Sequence, residues 1–261
     1  MSWLLAATAE PGAGMAEIVD GTGGRVARRW IGLEPTIRTL SATIIIGAAT
    51  GAVIGGLGGR LTMRILFLTS DDAVKGLTSD DGFEIGRFTL GDTAGLLVVT
   101  SLIGVIAALL LLVAWPFVRH LGRATVPMMA VLYGVVGGAL MVHTDGVDFT
   151  VLEPAALAIA LFVAICAGFG AAVAHLVGRA AAVDGWPRAC RRWLLGPPLL
   201  LLLFPPVLVV AVVAAATNHA DAVVSPDDGR WRTVRAGAVL FMLGLFVAGA
   251  VDLARDSATL T

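Results

Sequence analysis

The sequence predicts an all-α protein, a bundle of six transmembrane helices with both termini in the cytoplasm. Three observations predict it. The chain is 57% hydrophobic and 14% charged, whereas soluble domains carry about 25% charged residues. Six stretches are apolar over the ~20 residues that cross a bilayer. The first of them carries glycines four apart, Gly47, Gly51, Gly55 and Gly59. In water such a run weakens a helix. In lipid the backbone has no other hydrogen-bond partner, so the helix persists and its bare face admits a neighbour.

Taken in order, residues 1–37 read as a cytoplasmic, largely disordered segment rich in Gly, Ala and Glu. The start lacks a basic stretch before its short apolar run, which argues against a cleaved signal peptide, and Met15 offers a second start. The six apolar segments are 38–59, 93–118, 125–143, 154–178, 194–216 and 234–252, within a transmembrane domain at 38–253. An outer loop is expected at 65–92, with Gly82–Gly91 as a short hairpin or surface segment. The residues 254–261 form a cytoplasmic tail. In the fifth segment Pro197-Pro198 suits a helix start, and Pro205-Pro206 is expected to kink the helix.

The orientation follows from the cations. With six spans, eleven Lys and Arg fall in the terminal segments and the second and fourth loops, against seven elsewhere. The positive-inside rule then sets both ends inside. Twelve of the nineteen carboxylates fall in the outer loops, a surface that attracts cations. A net charge of −1 gives no bulk attraction to nucleic acid.

Several constellations invite function, each with a plainer alternative. The glycine face suits a pore or oligomer seam, or ordinary packing within one bundle, and the second is preferred. Gly134 with Gly138, and Gly168 with Ala172, repeat the small-residue spacing. Arg60 and Arg64, one turn apart, suit a lipid phosphate or anionic ligand, or ion pairs with Asp92 or Asp145. With Asp92, His143, Asp145 and Asp148 they define an expected outer vestibule.

His143-Thr-Asp145 and His219-Ala-Asp221 end the third and fifth segments. If both lie at one depth, His143, Asp145, His219 and Asp221 offer a divalent metal imidazole and carboxylate ligands. Against this, Asp-Gly is a turn pair and histidine suits a helix carboxyl end. Haem ligation by the four histidines is disfavoured, because His120 sits in a basic loop. Cys166 and Cys190 fall at different depths, which opposes a disulfide. No nucleotide, hydrolase or selectivity-filter motif is present, and no charged residue lies near the middle of a span.

Three stretches carry a resemblance: Gly58-Gly-Arg-Leu-Thr-Met-Arg-Ile65, Asp81-Gly-Phe-Glu-Ile-Gly-Arg-Phe-Thr-Leu-Gly-Asp-Thr93 and Gly146-Val-Asp-Phe-Thr-Val-Leu-Glu-Pro154. Together they resemble multi-helix membrane proteins of high-GC Gram-positive bacteria that carry no known activity. The resemblance implies a bacterial plasma-membrane location and distinctive outer loops. The expected function is therefore a non-enzymatic membrane protein that binds or moves a small solute, ion or lipid. The alternatives are an accessory subunit of a larger membrane complex and an interfacial metal-dependent enzyme. The expected partners are membrane lipids and a second copy or a complex subunit, with no nucleic acid.

Overall fold

The computed structural model describes residues 23–70, 76, 89–144, 149, 153–181, 205–223 and 229–260. Among them regular structure is entirely helical. The chain divides into two units, residues 1–35 and 36–261. Of the first unit, only the backbone from Gly23 is described, and it is helical from there. Four helical runs in the second are long and apolar enough to cross a membrane: Thr36–Thr69, Leu90–Met141, Ala155–Ala180 and Trp231–Leu260.

The first run is built from α1 (Gly23–Thr50), a π-helical stretch (Gly51–Leu57) and α2 (Gly58–Thr69). Of the 65–92 loop, residues 65–69 are thus helix, and the Gly82–Gly91 hairpin lies outside the described residues apart from its last positions. α3 (Leu90–Val118) starts where Thr89 accepts a hydrogen bond from the Asp92 N–H at 3.1 Å. Its acidic first turn suits the helix dipole.

A tight 3₁₀ turn at Arg119–Ala124 ends α3. Gly122 sits there at φ 57°, which a side chain would disfavour. The turn reverses the chain into α4 (Thr125–Met141), and Thr125 Oγ1 donates back to the Val118 carbonyl at 3.0 Å. The run Leu90–Met141 is therefore two helices, joined further along by Tyr133 Oη donating to the Ala107 carbonyl at 2.7 Å.

α5 (Ala155–Ala181) runs antiparallel to α4. A Cβ built on Gly134 would lie 3.1 Å from the Ala167 methyl, and one on Gly138 2.8 Å from a Val163 methyl. The reciprocal contact comes from Gly170 against the Met129 carbonyl. Gly168 instead faces Ile54 of the π stretch.

The last two helices depart from expectation. α6 is described over Pro205–Val223, so it runs seven residues past the expected end at 216. Pro205-Pro206 stands at its first described positions, so the kink expected there falls at the edge of the described residues. Residues 194–204 lie outside the described set. α7 spans Gly229–Leu260, so the expected tail at 254–261 is helical to Leu260.

Helix direction follows from paired contacts. The first run is antiparallel to α3: Gly47 faces Gly104 and Ala108, and Gly56 faces Leu97. α6 is parallel to α3. Val207 and Ala211 pack with Val105 and Leu109, Asn218 reaches Leu112, and Asp221 meets Arg119. α7 is parallel to α4: Trp231 stacks near Phe117, Gly249 faces Val136, and Leu253 faces Gly138. The bundle thus has a turn end, at Arg119–Ala124, and a far end holding Thr69, Thr89, Val142 and Glu153. Strict alternation of six full spans predicts α6 antiparallel to α3. Instead the described part of α6 runs parallel to α3 toward the turn end.

Candidate functional site

The seam between the first run and α3 is made of backbone. A Cβ on Gly47 would lie 2.6 Å from the Gly104 carbonyl, and one on Gly51 would collide with the Thr100 carbonyl. Gly104 meets Gly51 in return, its own Cβ position lying 2.8 Å from the Gly51 Cα. Gly55 and Gly56 both face Thr100, since the wider π turn brings residues four and five apart onto one line. Gly59 has nothing within 4 Å, because α2 leaves α3 and packs on α5. The packing within one bundle accounts for Gly47, Gly51 and Gly55, as for Gly134 and Gly138.

Hydroxyls line the same region. Thr50 Oγ1 donates to the Ile46 carbonyl at 2.6 Å, and Thr100 Oγ1 to the Leu96 carbonyl at 2.8 Å. Thr43 Oγ1 is buried without a hydrogen-bond partner. One departure from continuous α-helix therefore packs on α3. The π stretch lies against residues 97–104, and Val207 and Ala211 of α6 pack beside it on Val105 and Leu109.

At the turn end lies a charge cluster that sequence reasoning missed. The Asp221 side chain is 3% exposed and accepts from Arg235 Nη2 at 2.9 Å and Trp231 Nε1 at 3.2 Å. Arg119 closes on its other oxygen. One carboxylate thus ties α3, α6 and α7 together. The Arg235 guanidinium also lies 5.9 Å from the Trp231 ring.

Nearby, Pro116 supplies no N–H to the Leu112 carbonyl four residues before it. Asn218 Nδ2 donates to that carbonyl at 2.7 Å and so replaces the lost bond.

The expected vestibule residues are distributed as follows. Arg60, Arg64, Asp92 and His143 all belong to the far half of the bundle. Arg60 is half-buried. Arg64 is exposed and lies 5.3 Å from the Phe67 ring. Asp92 is half-buried at the α3 start, and His143 is exposed just past α4. Asp145 and Asp148 lie outside the described residues.

His219 and Asp221 were expected at one depth with His143, but they sit at the turn end, about 25 Å away along the 17 residues of α4. No group of three potential metal ligands occurs among the described residues, and Asp221 is engaged by arginines. All four histidines are exposed, His120, His175 and His219 toward the turn end.

Also at the far end, Glu153 anchors the start of α5 to the end of α2. Thr69 and Ser70 hydroxyls donate to its carbonyl, and its N–H donates to Ser70 Oγ at 2.8 Å.

No protein-family model matches the chain, and no curated protein or solved structure matches it either. The resemblance noted for residues 58–65, 81–93 and 146–154 therefore stands on those stretches alone.

Proposed function

We propose that this is a multi-pass protein of the bacterial plasma membrane that binds or passes a small cation or polar solute, with no covalent chemistry. The observation that carries the reading is the π stretch at mid-span, packed through Gly51, Gly55 and Gly56 on residues 97–104 of α3 beside the Thr100 hydroxyl. Departures from regular helix at mid-depth are tolerated where protein covers them, and they recur where membrane proteins hold solutes.

The same reading sets the topology. The first run, α3, α4, α5 and α7 each cross the bilayer, and the described part of α6 runs toward the turn end. With this helix order, thirteen of the eighteen cations belong to the turn end. The five at the far end are Arg60, Arg64, Lys75, Arg87 and Arg255. Eleven of the nineteen carboxylates belong to the far end. The positive-inside rule then sets the turn end in the cytoplasm, more decisively than an eleven-to-seven split. The far end, acidic and external, concentrates cations around Arg60, Asp92 and His143. Five crossings leave the carboxyl end of α7 outside.

The test is flux into liposomes holding this protein alone, with K⁺ and Mn²⁺ as probes. Entry of either above protein-free background, reduced by Thr100→Val, is the expected result. Background flux for both, with protein inserted and monodisperse, overturns the reading. A second reading, an accessory subunit of a membrane complex, draws on α7, whose Leu240, Phe241 and Leu243 are all exposed. A partner retained stoichiometrically in gentle detergent supports it.

A further inference from the structure

We propose that the turn end binds the phosphodiester of an anionic phospholipid headgroup, through Arg119 and Arg235 beside Trp231. The proposal rests on the membrane reading above but uses a different part of the molecule.

Asp221 is one negative charge between two guanidiniums, so the cluster keeps a net positive charge. Its oxygens are already committed to Arg119, Arg235 and the Trp231 indole. Each guanidinium has five donors in a planar fork. Arg119 pairs with Asp221 and leaves half its side chain exposed, at 52%. Arg235 Nε is shielded from solvent yet meets no acceptor. Arg123 in the same turn and Arg232 beside Trp231 are exposed and add charge. A phosphate oxygen is an acceptor that suits the exposed donors of the Arg119 fork.

The position selects the source of that phosphate. Trp231 and Phe117 pack at 6.0 Å between centroids, at the ends of α7 and α3. An aromatic pair there marks headgroup depth. On the reading above, this end faces the cytoplasmic leaflet, which is enriched in anionic lipid and attracts basic clusters beside transmembrane helices. Asp221 then orients both forks toward the membrane surface without neutralising them.

The test uses the whole chain in nanodiscs of phosphatidylcholine, with or without phosphatidylglycerol, and reads the thermal midpoint. Retention in pure phosphatidylcholine discs checks the membrane reading separately, because insertion needs no anionic lipid. Phosphatidylglycerol is expected to raise the midpoint. Arg119→Gln is expected to abolish that rise, and Arg123→Gln, which breaks no ion pair, to reduce it. Arg64→Gln, at the opposite end, is expected to leave it intact. Inorganic phosphate in phosphatidylcholine discs is expected to do nothing. An equal phosphatidylglycerol effect in wild type, Arg119→Gln and Arg123→Gln overturns the proposal. So does a midpoint rise with inorganic phosphate alone, or loss of the effect in Arg64→Gln.

Discussion

α3 makes two contrasting seams. Toward the first run it presents backbone, with Gly104 meeting Gly47 and Gly51 and no side chain between them. Toward α6 and α7 it presents polar groups, namely the Leu112 carbonyl to Asn218 and Arg119 to Asp221. The first seam gains from dispersion and close approach, and any added atom must displace a helix. The second exchanges directed bonds that a substituted side chain removes one at a time. A backbone seam holds position, and a polar seam holds direction: it lets α6 lie parallel to α3 with its end locked at the turn.

The largest effect is expected where the backbone seam is filled. Gly104→Val puts atoms against the Gly47 carbonyl and the Gly51 Cα. It is expected to cost about 3 kcal/mol, seen as loss of a monodisperse folded peak in detergent. A variant as stable as wild type contradicts the seam.

The polar seam should yield by steps. Asp221→Asn leaves Arg119 and Arg235 facing each other. The carboxylate is buried but both arginines are partly exposed, so the expected loss is about 2 kcal/mol. Thermal melting checks it, and added salt should narrow the gap from wild type by screening the two arginines.

Asn218→Ala orphans the Leu112 carbonyl and is expected to cost about 1 kcal/mol. Pro116→Ala supplies the ordinary helical N–H donor to that carbonyl. In that background Asn218→Ala should cost clearly less, which a double-mutant cycle measures. Equal costs in both backgrounds sink the compensation.

The smallest effect belongs to Gly59, the one member of the regular series with open space around it. Gly59→Ala should leave stability unchanged or raise it by up to about 1 kcal/mol through helix propensity. Gly51→Ala should destabilise in the same assay.

Much of this architecture was legible in the residues. The α3, α4 and α5 segments fall within a few residues of expectation, because long apolar runs bounded by arginines or turn residues have few alternatives. Gly47, Gly51, Gly55, Gly134 and Gly138 lie on packed faces, as spacing on a helix requires. Gly104 escaped notice because a lone glycine forms no pattern, and Gly59 misled because spacing says nothing about where two helices diverge.

The charge cluster was hidden by an assumption that successive apolar segments alternate in direction. That assumption set Arg119 on one side and Asp221 and Arg235 on the other. The signal was in the chain: moving Arg230, Arg232 and Arg235 to the side of Arg119 and Arg123 sharpens the cation asymmetry. Asn218 gains its meaning only beside Pro116, which is 102 positions earlier in the chain.

The most direct measurement concerns the two ends of α7. Reporters that distinguish cytoplasm from exterior would be inserted, in separate versions of the full chain, within the Arg119–Ala124 turn and after Thr261. The account predicts a cytoplasmic turn and an external carboxyl end. Both reporters on the same side would contradict it, taking with it the five crossings, the thirteen-to-five division of cations and the lipid-facing cluster at Arg119.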